Sequence, residues 1–212
     1  MQARKFVHPG ILHTTKSIER MRAQIADKEY PAYGSFELLK SHHCSQADYQ
    51  PFGPFEVISR DGEFRHTKSK MEQDFSAIYQ NALMWVLTGE KAHAEKSLEL
   101  LLGYAGTLKR IPETNDAPLL VGLEGSKIIY ATEMLRHTYK KMTVVQFNEI
   151  SRMIREVFLP VMENFYYRKP YTNGNWGPIV TKAYMAAAIL WDNEEMLSLI
   201  HISEPTRRTP IS

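Results

Sequence analysis

Two asparagines and a tryptophan stand close together in the segment Thr172-Asn173-Gly174-Asn175-Trp176-Gly177. Amide N–H groups donate hydrogen bonds to anionic oxygens, and a rigid indole stacks on the face of a sugar ring. Asn-Gly is also a common turn sequence because both residues tolerate positive φ, and Trp176 could instead fill a helix junction. The segment therefore predicts either a binding corner for an acidic sugar or a simple reversal of the chain.

Other candidate groups come in small sets along the chain. Arg168, Lys169 and Tyr171 directly precede the asparagines and could bind carboxylates, or could form a solvated basic turn. Glu124 and Lys127 have the three-residue spacing of an ordinary helix ion pair, which would also suit the wall of a cleft.

Histidines mark two further positions. His42, His43 and Cys44 all have metal-binding side chains, but adjacent helix positions diverge and no second ligand cluster follows at a zinc spacing. We therefore expect no metal site there. His8, in a His-Pro-Gly opening, is expected to tie down the N-terminal segment rather than to take part in catalysis.

Helices must position these groups, because apolar residues recur at helical spacing through most of the chain. The predicted helices cover residues 16–28, 35–43, 71–87, 91–108, 123–139, 144–165 and 178–191. Gly89 separates the members of one antiparallel hairpin. Thr143 followed by Gln146 has the form of a capping box at a helix start in a second hairpin.

The region 45–67 is the one long interruption, and Phe55, Val57 and Ile58 allow a brief strand there. The fold class is therefore all-α, built of antiparallel helical hairpins as a toroid or a repeat solenoid. No clean residue-level repeat chooses between the two.

Composition narrows the classes of function. The 212 residues include 26 Lys plus Arg and 24 Asp plus Glu, a net charge of +2, which does not predict a nucleic-acid partner. The 43% hydrophobic content fits one globular domain. No run approaches the roughly 18 apolar residues of a membrane span. The single Cys44 cannot form an intramolecular disulfide.

Short pieces along residues 6–196 together resemble the alginate-lyase-like superfamily. The pieces are Phe6-Val7-His8-Pro9-Gly10-Ile11-Leu12, Gln73-Asp74 through Tyr79, Ala82-Leu83-Met84-Trp85, Thr88-Gly89-Glu90, Gly122-Leu123-Glu124-Gly125, Glu133-Met134-Leu135-Arg136, Val157-Phe158-Leu159-Pro160 and Asn173-Gly174-Asn175-Trp176. The resemblance implies an incomplete α/α toroid, a periplasmic or secreted enzyme and an acidic polysaccharide substrate of the alginate or glucuronan class. No cofactor is implied.

The implied reaction is β-elimination, which removes the C5 proton beside a uronate carboxylate. An amide donor can stabilise the enediolate that develops there. Asn175 is the first candidate for this role and Asn173 the second. Many relatives carry His after this Asn, whereas here Trp176 follows, so no residue is assigned as the base.

The same resemblance places the helix with Gln73, Asp74 and Tyr79 near the cleft wall, as candidate substrate contacts. Asp74 could equally complement the dipole at a helix N-terminus. A glycoside hydrolase on a similar scaffold is the first alternative and would need two carboxylic acids, of which Asp74 and Glu124 are the only pair to test. A non-catalytic module that binds acidic glycans through Arg168 and Lys169 is the second.

Residues 197–207, Leu-Ser-Leu-Ile-His-Ile-Ser-Glu-Pro-Thr-Arg, resemble the translation of a transposon-end adapter used in sequencing libraries. We therefore expect a toroid-like domain over residues 1–196 that is truncated on its C-terminal side, and an artefact tail over 197–212. The truncation would remove the catalytic base and acid, so this fragment is expected to be inactive.

Overall fold

The protein is described by a computed structural model that covers residues 6–165 and 174–203, and this part of the chain is almost entirely helical. Its α-helices are α1 Thr15–Ala26, α2 Ala32–Ser41, α3 Lys68–Thr88, α4 Lys91–Thr107, α5 Ala117–Leu120, α6 Ser126–Thr138, α7 Val144–Met153, α8 Leu159–Phe165, α9 Trp176–Leu190 and α10 Glu194–Ser203. The π-helical segments Val121–Gly125 and Ile154–Phe158 join α5 to α6 and α7 to α8.

The all-α prediction is confirmed, and several local signals act as expected. The Thr14 side chain caps α1, and Gly89 ends α3 with a φ of 76°. Thr143 and Gln146 form the predicted capping box at the start of α7. The predicted strand is wrong: within the described residues Val57 makes only an isolated parallel bridge to Arg110.

Three helices, α3, α6 and α9, run parallel to one another. Trp85 Nε1 donates to Thr138 Oγ1 over 2.9 Å, so the C-terminal ends of α3 and α6 lie together. His8 lies 2.9 Å from both Glu133 and Asp192, which brings the end of α6 next to the residue that follows α9. The N-terminal ends of the three helices therefore share the opposite side of the molecule.

A second set of helices, α4, α7 and α8, runs back in the opposite direction and packs around the first set. Apolar side chains fill the space between the two layers; the largest fully buried ones include Phe75, Ile78, Leu101, Tyr104, Leu120, Ile128, Phe158 and Phe165. Short turns connect the layers at the side where α3, α6 and α9 end. The longer connection of residues 108–116 lies at the side where α6 begins. The incomplete toroid stays a prediction.

The N-terminal segment is fastened to α6. The backbone N–H of Gly10 donates to Glu133 Oε1 over 2.7 Å, and that of Ile11 donates to Oε2 over 3.1 Å. Because Glu133 is buried, these donors and His8 satisfy a carboxylate that would otherwise be costly to bury. This geometry agrees with the anchoring role expected for His8.

No helix in the described part of the chain combines the length and the apolar character that crossing a membrane requires.

Candidate functional site

Asn175 and Trp176 lie at the N-terminal end of α9. Asn175 occupies the N-cap position, is exposed, and its side chain makes no capping hydrogen bond. Trp176 is half-buried and packs against the hydrophobic core. Since the first N–H groups of a helix carry a partial positive charge, Asn175 presents its amide where a negative charge is stabilised.

The remaining residues predicted for this corner, Arg168, Lys169, Tyr171 and Asn173, lie outside the described residues. Their roles stay predictions.

A close approach between α9 and the Val121–Gly125 segment fixes the position of this corner. A Cβ on Gly122 would lie 2.5 Å from Ile179 Cγ2, and a Cβ on Gly125 would lie 2.8 Å from Phe158 Cδ1. These distances are too short for any side chain, so glycine at both positions lets the helices meet. The start of α9 is thereby held beside Glu124.

Facing surfaces of α3, α6 and α9 carry a row of polar side chains that we term the polar wall. Its members are Ser76 and Tyr79 from α3, Glu124, Lys127 and Tyr130 from the Val121–Gly125 segment and α6, and Lys182 from α9. The two residues of α3 are three positions apart, as are Glu124, Lys127 and Tyr130, which puts each set on one helix face.

Lys127 connects two of these elements. Its Nζ lies 2.7 Å from Glu124 Oε2 and donates to Ser76 Oγ over 3.0 Å. Burial raises the pKa of the Glu124 carboxyl, and the hydrogen bond and charge of Lys127 oppose that rise only in part. Oε2 of the Glu124 carboxylate is thus paired with Lys127, and the predicted contact of Glu124 with a substrate stays a prediction.

Lys182 adds a second ammonium group. Its Nζ lies 5.9 Å from the centroid of the Tyr130 ring, and the described residues offer it no ion pair within contact distance. Partial burial lowers the pKa of Lys182, an effect that Glu124 opposes and Lys127 reinforces. Lys182 follows Asn175 by seven residues, so the two share one face of α9 about 10 Å apart along its axis.

Tyr79 closes the row. Its ring meets that of Tyr130 edge to face at 6.1 Å, and its hydroxyl lies 2.9 Å from His13 Nε2. Burial, with a smaller effect of Tyr130, raises the pKa of Tyr79 to about 12, so the phenol stays protonated at neutral pH. Burial lowers the pKa of His13, which keeps the imidazole neutral. Tyr79 therefore belongs to the polar wall, and its predicted contact with a substrate stays a prediction.

Asp74 does not belong to this surface. It is fully buried and its oxygens accept four hydrogen bonds, from Tyr49 OH, the backbone N–H groups of Phe52 and Gly53, and Tyr104 OH, at 2.7–2.9 Å. The predicted substrate contact is therefore not available to Asp74 in this structure. Instead the carboxylate holds the 49–53 loop against α3 and α4, which also removes one of the two acids that a hydrolase would need.

Gln73 lies one turn before Ser76 on α3, and its recorded side-chain partners lie outside the polar wall. Its Oε1 is 3.1 Å from His43 Nε2, and its Nε2 donates to the Ser69 carbonyl. The residue predicted as a substrate contact thus supports the turn that follows α2.

The expectation that His42, His43 and Cys44 diverge is wrong, because this segment is a tight turn rather than a regular α-helix. One ligand atom from each residue lies within 4.8 Å of the others. These atoms have protein partners, however. His42 Nδ1 accepts the Cys44 N–H, and His43 Nε2 lies near both Gln73 Oε1 and Cys44 Sγ.

The structure thus gathers Lys127, Tyr79 and Lys182 on the polar wall, with Asn175 about 10 Å from Lys182 along α9. These groups can bind anions and donate protons. Sequence reasoning missed His13, Ser76, Tyr130 and Lys182. Only Lys182 carried a usable signal, its seven-residue spacing from Asn175.

One of three comparisons with known proteins gives a match. The family model described as alginate lyase matches residues 29–202. Searches of curated proteins and of solved structures gave no match. The matched range includes the polar wall and Asn175.

Proposed function

This chain belongs to the alginate lyase family, and from that premise we propose that it carries the catalytic corner of a lyase that cleaves a uronate polymer by β-elimination. Family membership supports polysaccharide lyase activity in general. The finer assignment, to alginate or glucuronan as substrate, is our proposal. The observation that carries it is the exposed Asn175 amide at the start of α9, above two ammonium groups on the polar wall.

The proposed role of Asn175 follows from the chemistry of a uronate. Removal of the C5 proton gives an enediolate in which both carboxylate oxygens gather negative charge. An amide N–H and the positive end of α9 stabilise that charge more in the transition state than in the bound substrate, which is the requirement for catalysis. Lys182, about 10 Å further along the same helix face, is placed to bind the carboxylate of a neighbouring sugar.

Proton transfer needs a base and an acid. A phenol with a pKa of about 12 stays protonated at neutral pH, so it is a poor base but a competent hydrogen-bond donor. We therefore assign Tyr79 the role of proton donor rather than that of base. The neutral His13 holds the Tyr79 hydroxyl in position through the contact between its Nε2 and that hydroxyl. The base is not assigned to any residue in the described part of the chain.

The periplasm or the extracellular space is the proposed place of action, since that is where polymers of this class are met. This placement rests on the family alone.

The two enzyme classes leave different products, and this difference tests the proposal. A lyase leaves an unsaturated uronate that absorbs in the ultraviolet, whereas a hydrolase leaves a saturated sugar. The protein expressed from the complete source gene is incubated with alginate and with glucuronan while ultraviolet absorbance and reducing ends are followed. We expect both signals to rise together on one polymer. Reducing ends without absorbance would overturn the lyase assignment, and binding with neither signal would favour a glycan-binding module.

A further inference from the structure

A cavity rich in arginine lies on the opposite side of the molecule from Asn175. It has a volume of about 550 Å³, and its lining includes Arg136, Phe147, Arg152, Arg155 and Trp191. Two acids also line it: Glu156 pairs with Arg152, and Asp192 lies 2.9 Å from His8. These residues surround the C-terminal ends of α6 and α9 and one face of α7. Fifteen helical residues separate Asn175 from Leu190 in this lining, which corresponds to about 20 Å along α9. The cavity is therefore separate from the polar wall.

Two of its arginines are held by aromatic rings rather than by acids. Arg155 Cζ lies 3.8 Å from the Trp191 ring centroid, and Arg136 Cζ lies 4.9 Å from that of Phe147. Within residues 6–165 and 174–198, neither guanidinium has a carboxylate within ion-pair distance, whereas Arg152 pairs with Glu156 at 3.1 Å. A guanidinium stacked on a ring keeps its N–H donors in its own plane, where they can bind a carboxylate in two-pronged geometry.

The supporting residues order this arrangement before any ligand arrives. Trp191 Nε1 donates to Ser151 Oγ over 2.7 Å, which fixes the ring beneath Arg155. His8 and His137 stack at the edge of the cavity with ring centroids 4.3 Å apart. Ordered cations bind an anion at a lower entropic cost than mobile surface lysines do.

We propose that this cavity is a second carbohydrate site, in which Arg136 and Arg155 bind the carboxylate of a uronate sugar. The class of ligand rests on the proposed function, whereas the site rests on the two guanidinium groups and their rings. A polymer held here and in the polar wall at once would gain avidity, because the second contact becomes intramolecular.

The three tryptophans make the test direct, since each reports a different place. Trp191 belongs to the cavity, Trp176 to the Asn175 corner, and Trp85 to the contact between α3 and α6. The chain is labelled with ¹⁵N, its indole N–H signals are assigned with Trp→Phe variants, and glucuronate is titrated in. This monosaccharide has no glycosidic bond to cleave, and glucose is the matched ligand without a carboxylate.

We expect the Trp191 signal to shift saturably with glucuronate and not with glucose. R136Q combined with R155Q should weaken this binding about tenfold or more, while an unmoved Trp85 signal shows that the variant is folded. R110Q is the matched control, because Arg110 lies 5.5 Å over the Phe64 ring away from the cavity.

A Trp191 signal that does not move, or that moves equally in the double variant, would overturn the inference. The Trp176 signal tests sugar binding at the Asn175 corner, so failure of the cavity site can be distinguished from failure of the proposed function. A shift at Trp176 alone would refute uronate binding in the cavity and would leave the proposed role of the Asn175 corner unaffected. A shift at Trp191 alone would support the cavity and count against sugar binding at the corner.

Discussion

Ile179 lies directly against Gly122, with no room between them for even a methyl group. This contact joins α9, which carries Asn175 and Lys182, to the segment that carries Glu124. The position of the candidate corner relative to the polar wall therefore depends on a glycine.

Gly122→Ala should destabilise the protein. The new methyl group would have to displace Ile179 or shift α9, and overpacking of this kind costs about 1–3 kcal/mol. Urea unfolding followed by circular dichroism measures the change. Gly103→Ala is the control, because the nearest atom to its Cβ is Pro54 Cγ at 3.8 Å, an ordinary contact in a helix where alanine is favoured. Equal effects of the two substitutions would contradict this account of the contact.

Asp74→Ala should be more damaging, with an expected loss of about 3–5 kcal/mol, because two buried hydroxyl donors and two partly buried N–H donors lose their acceptor at once. Asp48→Ala, at an exposed position in the same loop, should cost almost nothing. If Asp74→Ala left the unfolding midpoint unchanged, the structural role assigned to this carboxylate would be wrong.

His8 should make the anchoring of the N-terminal segment depend on pH. Burial lowers the pKa of His8, but hydrogen bonds and charge from Asp192 and Glu133 outweigh burial and raise it above the ordinary histidine value of about 6.5. The stabilisation from His8 is therefore fully present below about pH 6.5 and is lost as pH rises through the folded-state pKa.

His8→Ala should consequently destabilise the protein more at about pH 5.5 than at about pH 9. The neighbouring His137 has its pKa lowered to about 4, first by burial and then by the charges of His8 and Arg136, so it stays neutral over this range. His66→Ala, at an exposed position, is the control. A difference that grew as pH increased would refute the assigned direction.

Lys182→Met should weaken the interaction with a uronate polymer. The substitution keeps most of the side chain but removes an ammonium group placed to bind a carboxylate, so KM should rise about tenfold and lose part of its dependence on salt. Lys109→Met removes a lysine of an exposed ion pair with Glu56 and should leave KM unchanged. If wild type and Lys182→Met had the same KM, Lys182 would not belong to the surface that binds the polymer.

Local patterns in the sequence predicted much of this structure. Helix periodicity, the Thr143 capping box and Gly89 are signals that act within a few residues, and they were read correctly. Asp74 was misjudged because its four donors lie 21–30 residues away, and only the fold shows that they converge.

Two other features, the His42–His43 turn and the His13–Tyr79 contact, were not predicted from the sequence, and each has a physical reason. His42 and His43 were assigned to a regular helix, in which neighbours diverge, whereas a tight turn folds them together. His13 and Tyr79 are 66 residues apart, so no spacing rule connects them. Lys182 is the exception, since a search for charged residues two turns after Asn175 would have found it.

The central claim is that the Asn175 amide stabilises the charge that develops on the uronate carboxylate. It is tested most directly by the rate of ultraviolet absorbance increase on alginate and glucuronan, measured for the protein from the complete source gene and for its Asn175→Ala variant. Loss of one such donor should lower kcat by about 10²–10³ with a smaller change in KM, while Asn164→Ala, at an exposed position on α8, should be unaffected. An Asn175→Ala enzyme with wild-type kcat would contradict the claim.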